Sequence, residues 1–136
     1  MDIEEATAFM REHHRSVLHT TRDDGSPQLS PVVHAVDDGG RVMVSSRETA
    51  MKVRNLRRRP RATLLALSDN FFGPWAQVSG SVEIESMPGA LEGLKAYYRQ
   101  ISGEHPDWQE YEEAMAREQR VLLTVTIDQA GPRRSG

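Results

Sequence analysis

The stretch "SVLHTTRDDGSPQLSPVVHAVDDGGRVMVSS" sets three strand-like runs nose to tail, Ser16–Thr21, Gln28–Val36 and Arg41–Ser45, with only "DDGSP" and "DDGG" between the alternating segments. Glycine supplies positive φ and aspartate bonds its own backbone, so both connections spell tight turns. Connections this short join only antiparallel neighbours, because a parallel pair needs a crossover of about a dozen residues or more. An early meander of this kind fits a mainly antiparallel barrel better than a wound βαβ sheet.

The remaining elements follow from local signals. Ile3, Ala6, Phe9 and Met10 recur at helical spacing and predict an amphipathic helix from residue 3 to about 14. After the third strand, Ser45 with Glu48 three residues on has the form of a capping box, with Ser46 and Thr49 as rival caps. The helix that follows should end near Arg59, since Pro60 pushes its predecessor out of helical geometry. "RATLLAL" reads as a buried strand, "SDNFFGPW" as an aromatic loop and "AQVSGSVEIES" as a long alternating strand. "PGALEGLKAYYRQISG" is a helix with Pro88 near its start and Gly103 at its end. "DWQEYEEAMAREQ" is another, entered through Asp107 with Glu110 three residues later. "RVLLTVTID" closes the sheet, and residues 129–136, "QAGPRRSG", are expected as a loose tail. About six strands and four helices predict one mainly β domain, a mostly antiparallel barrel with helices flanking it.

At 136 residues the chain suits a single domain. It has no cysteine, which removes disulfides, zinc-thiolate sites and thiol nucleophiles. No apolar run approaches the roughly 20 residues of a membrane helix, and "MDIEEATAFMREHH" is acidic where a secretory leader is basic. A cytoplasmic location with no membrane partner is expected. A net charge of −3 argues against a dedicated nucleic-acid binder, so no nucleic-acid partner is expected either.

The chemistry-bearing motifs are mostly absent. There is no G-x-G-x-x-G, no P-loop, no H-E-x-x-H and no G-x-S-x-G. His13, His14, His19, His34 and His105 are not spaced to share a metal on one helix face, so no metal is expected. What stands out is "TAMKVRNLRRRPRATLLAL", one lysine and five arginines in a mildly acidic chain. On a helical wheel Val53 and Leu56 point inward, while Lys52, Asn55 and Arg59 share one flank and Arg54 and Arg58 the other. The arginines near the helix end suit the dipole and fit a solvated face equally well. Lys52 lies in the first turn, where the dipole favours an anion. With free N–H groups and the hydroxyls of Ser45, Ser46 and Thr49 it describes a phosphate cradle.

These residues also resemble a known family. "DGSPQLSPV", "VSSRETAMKVRNLRRRPRATL", "YYRQISGEHPDWQEYEEAM" and "RVLLTVTI" are similar to the pyridoxamine-phosphate-oxidase-like split barrels, in particular the actinobacterial branch that uses the deazaflavin coenzyme F420. The resemblance runs from about Val17 to Ile127. It implies a homodimeric split β-barrel with cofactor sites at the subunit interface. The phosphate would lie on Ser45, Ser46 and Lys52, and the ring along Gln28, Leu29, Ser30, Pro31 and Val32. The partner subunit would contribute around Trp75 and Gln77. Relatives often carry an arginine where this chain has Ala50, and Arg47 is the nearby residue able to reach the same anion.

F420 is a long anion with a phosphodiester and an oligoglutamate tail, which the arginines would steer and loosely hold. The implied activity is hydride delivery to a small electron-poor acceptor, with Phe71, Phe72, Trp75 and Tyr98 as candidate pocket walls or simple packing. Three readings stay open beside it: an FMN-dependent oxidoreductase on the same barrel, a non-catalytic F420 carrier, and a nucleic-acid contact through "RNLRRRPR".

Overall fold

A computed structural model describes residues 1–132. In chain order these form α1 (Ile3–Glu12), β1 (Arg15–Thr21), β2 (Pro27–Val33), β3 (Ala35–Val36), β4 (Val42–Arg47), α2 (Met51–Arg58), β5 (Arg61–Leu67), β6 (Trp75–Ser86), α3 (Leu91–Ser102), α4 (Trp108–Arg117) and β7 (Arg120–Gly131). The strands make one sheet in the order β2-β1-β5-β6-β7-β4-β3, with every neighbouring pair antiparallel.

The two outermost strands, β2 and β3, are consecutive in the chain with only His34 between them. A sheet whose opposite edges are one residue apart in sequence has to curl until they meet. That constraint makes the split barrel. It also explains why the expected run Gln28–Val36 is two strands and the total seven rather than about six. At the seam, the fully buried His34 donates from Nε2 to the Met10 carbonyl at 3.0 Å and accepts at Nδ1 from the Ser16 hydroxyl at 2.6 Å. Its backbone N–H donates to the His14 carbonyl at 2.8 Å.

Strand alternation sends Leu18, Val42, Val44, Leu64, Ala76, Val78 and Leu123 into the barrel. Met10 of α1 and Val53 and Leu56 of α2 enter the same core, as their helical spacing predicts. On the outer side, Met43 and Leu122 pack under Leu94 of α3 and Tyr111 and Met115 of α4. Between Ser79 and Gly80 the β6–β7 register shifts at a bulge, and a Cβ on Gly80 would run into the Thr126 carbonyl.

Several expectations are corrected. No serine or threonine caps α2: its N-cap is Ala50 with no side-chain hydrogen bond, and Ser45 and Ser46 belong to β4. Of residues 129–136, Gln129–Gly131 are not a loose tail but continue β7, pairing with Gln77–Ser79; residues 133–136 lie outside the described residues. α1 ends at Glu12, two residues early, because His13 turns into extended backbone. Other signals hold. α2 stops at Arg58 ahead of Pro60, Gly103 closes α3 at φ 80°, and the Asp107 side chain accepts from the Glu110 N–H.

Candidate functional site

α2 begins without a side-chain cap and without an acidic residue in its first turn. The Val53 and Arg54 N–H groups donate to the Ala50 carbonyl, while those of Met51 and Lys52 have no partner among the described residues. Lys52 is the second residue of this turn and is half-buried. Among the described residues it has no ion-pair partner, whereas most of the neighbouring arginines do. Arg57 meets Glu48 at 2.6 Å, Arg58 meets Asp23 at 3.6 Å, and Arg61 grips Asp128 through two bonds of 2.7 and 2.8 Å. That carboxylate raises the Arg61 pKa, and the Arg61 hydrogen bond lowers that of Asp128. The basic cluster is thus largely neutralised locally. The unmatched charge sits at Lys52 and Arg54, with Arg59 bonded only to the Arg22 carbonyl at 3.3 Å.

The sequence placed the Ser45 and Ser46 hydroxyls in one cradle. Strand alternation separates them. Ser46 is buried on the barrel side with Val42 and Val44, and Ser45 shares the opposite side with Met43. Thr49 is exposed in the turn between β4 and α2. Arg47, the expected substitute for a missing arginine at Ala50, donates to Glu118 at 3.4 Å. Glu118 also takes 3.0 and 3.1 Å bonds from Arg120, and hydrogen bonding from Arg120 first, then Arg47, holds its carboxyl below the ordinary range.

The candidate ring strand is the free edge of the sheet. Along β2 the residues alternate, with Gln28, Ser30 and Val32 half-buried and Leu29, Pro31 and Val33 facing out. Leu29 is 64% exposed. Both ends of β2 are tied down by residues that sequence reasoning did not single out. At one end, Asn55 of α2, placed by the wheel on an open flank with Lys52 and Arg59, is fully buried. Its Nδ2 donates to Thr20 Oγ1 and Gln28 Oε1, both at 3.1 Å. At the other end the Tyr97 hydroxyl of α3 donates to the Val33 carbonyl at 2.8 Å, and burial raises the Tyr97 pKa. Gln100 then brackets Val36, accepting from its N–H at 2.7 Å and donating to its carbonyl at 2.6 Å. Long-range partners are invisible to helical periodicity.

Trp75 and Gln77 lie on the outward side of β6, three strands away from β2 across β1 and β5. Three inter-strand steps put them about 14 Å from the β2 edge within one chain. The outward face they share, with Val17, Pro31, Leu65 and Leu67 in register across the four strands, carries none of the helix residues that cover β4 and β7. Phe71 and Phe72 stand at its end, 72% and 92% exposed and edge-to-face at 5.1 Å. Tyr98 is used differently: it packs with Trp108 and Tyr111 in the joint between α3 and α4. No group of metal-ligating side chains occurs among the described residues, and no helix there is long and apolar enough to cross a membrane.

A phosphate-bearing planar ligand fits this donor set: an unpaired ammonium beside an uncapped helix end, and a free strand edge held at a set distance. Solved structures share the architecture. A conserved hypothetical protein from Mycobacterium tuberculosis superposes with a TM-score of 0.76 at 24% identity, over 100% of this chain and 92% of that one. An F420 reductase gives 0.70 at 20%, over 91% and 94%. General Stress Protein 26 from Bacillus anthracis gives 0.64 at 18%, over 94% and 90%. At these identities the likeness establishes the curled sheet and its helices. Residues 3–133 match the family model described as pyridoxamine 5'-phosphate oxidase, nearly the whole chain, and with the seam, sheet order and free β2 edge above, the protein belongs to that family.

Proposed function

We propose that the protein is an oxidoreductase that binds coenzyme F420 and, with the cofactor reduced, transfers hydride to a small electron-poor organic acceptor. The observation that carries this reading is Lys52, an unmatched cation in the uncapped first turn of α2. A bound deazaflavin supplies the hydride chemistry itself. The residues of the chain then have three tasks. Lys52 and the α2 N–H groups hold the phosphoryl end, the β2 edge orients the ring, and the apolar outward face excludes water. No side chain is assigned a proton-transfer role.

The reading includes a homodimer. Trp75 and Gln77 are too far from β2 to serve the same ring within one chain, so a second copy across the outward face would supply them. FMN is retained as the alternative cofactor for a specific reason. Arg57, Arg58 and Arg61 already have carboxylate partners, which leaves less positive field for an oligoglutamate tail.

The test is titration of the purified protein with F420 and FMN side by side, followed by an acceptor screen of quinones, tetrapyrroles and enones using the tighter cofactor. Tighter F420 binding with turnover supports the reading. Tighter FMN binding, or protein that purifies yellow, moves it to a flavin enzyme, and F420 binding without turnover moves it to a carrier. Raising salt should weaken long-tailed F420 more than a tail-less fragment. Equal salt dependence would return the arginines to ordinary solvation.

A further inference from the structure

We infer that Asn55 is a positioning residue that sets the spacing between the phosphoryl-holding turn of α2 and the ring-holding strand β2. The inference deepens the proposed cofactor site and rests on that reading. Asn55 is fully buried, and its amide is used on both sides. Arg58 donates to Asn55 Oδ1 at 3.0 Å. A guanidinium has no acceptor, so Oδ1 must face Arg58 and Nδ2 must face the hairpin. There Nδ2 meets Thr20 Oγ1 and Gln28 Oε1, while the Thr20 hydroxyl donates to the same Gln28 oxygen at 3.2 Å. Only one orientation of the three side chains satisfies this set.

The network joins two elements that the sheet does not hydrogen-bond together. Asn55 lies one turn after Lys52, so the clamp fixes the end of α2 that carries the ammonium. Gln28 opens the segment Gln28–Val32, so it fixes the near end of the ring strand. The Tyr97 bond secures the far end at Val33 but says nothing about α2. Gln28, expected from the resemblance to touch cofactor, spends its side-chain oxygen on this tie. Because a ligand held at both a phosphoryl and a ring must match one fixed separation, loosening the clamp costs affinity only when both ends are engaged.

The experiment compares F420 with its ring–ribityl fragment lacking the phosphodiester, in the wild type, Asn55→Ala and Thr20→Val. Asn55→Ala should lose tenfold or more in F420 affinity while the fragment stays within about twofold. Thr20→Val, which removes a hydroxyl from the tie at a residue assigned to no ligand contact, should show the same split and decides the matter if Asn55→Ala does not fold. Unchanged F420 affinity in a folded variant overturns the clamp and leaves the cofactor reading standing. Equal weakening of both ligands assigns Asn55 or Thr20 a merely structural role and also overturns it. Failure of the wild type to bind either F420 or FMN removes the site and the clamp together.

Discussion

Lys52 and His34 each hold a titratable group in a place that costs stability. Lys52 puts a positive charge at the positive end of α2, where dipole interactions are worth about 0.3–1 kcal/mol. Its removal should leave the melting temperature unchanged or slightly higher, since no acidic group among the described residues pairs with it. His34 is costly through burial, which, with smaller contributions from His14 and His13, pushes its pKa down to about 4. In the unfolded chain the imidazole takes a proton near 6.5, in the folded chain only near 4. The neutral seam therefore contributes fully above about pH 6.5 and is lost as pH falls toward 4, by about 3 kcal/mol at most. Thermal melts between pH 7 and 4.5 should show this loss, and His34→Gln, which does not titrate, should flatten it. A melt of the wild type as flat as that of the variant would contradict the burial argument.

At the scale of elements, Gly80 marks where β6 and β7 approach too closely for any side chain. Gly80→Ala should cost 2 kcal/mol or more, because the obstacle is the Thr126 carbonyl and backbone cannot rotate away. Denaturant unfolding measures it; a loss below about 0.5 kcal/mol would mean the bulge is pliable. The same scale shows what the sequence makes legible. The two tight hairpins β1–β2 and β3–β4, the stop at Pro60, the Asp107 cap and the inward Val53 and Leu56 all depend on neighbours within a few residues, and all are present. The break at His34 depends on α1 and β1, and the run of β7 through Gly131 depends on Gln77–Ser79 across a bulge. Neither leaves a local trace. In the candidate site, Lys52 stands out in the sequence because its oddity is local, a cation in a first turn. Asn55 does not, because Thr20 and Gln28 lie 35 and 27 residues away. The side chains of the expected Ser45–Ser46 pair lie on opposite sides of β4, because adjacent residues of a strand face opposite ways.

On the scale of the whole molecule, the barrel is covered by helices on one flank and left open on the face of β2, β1, β5 and β6. Val17 and Leu65 sit in register at its middle. A second copy over this face would bury them, so Leu65→Glu should convert the dimer to monomer in sedimentation while the monomer stays folded, and cofactor affinity should fall with it. A wild-type monomer would remove the partner contribution of Trp75 and Gln77. On the basic helix Arg57 and Arg58 are matched, while Lys52 and Arg54 have no acidic partner among the described residues, and Lys52 is the one assigned to the phosphoryl group in the proposed site. The decisive measurement is calorimetric titration of F420 and FMN into the wild type and Lys52→Ala. The wild type should bind F420 the more tightly, and Lys52→Ala should lose at least tenfold in affinity with no loss of melting temperature. Equal affinity in the two proteins would show that the ammonium at the head of α2 holds no phosphoryl group.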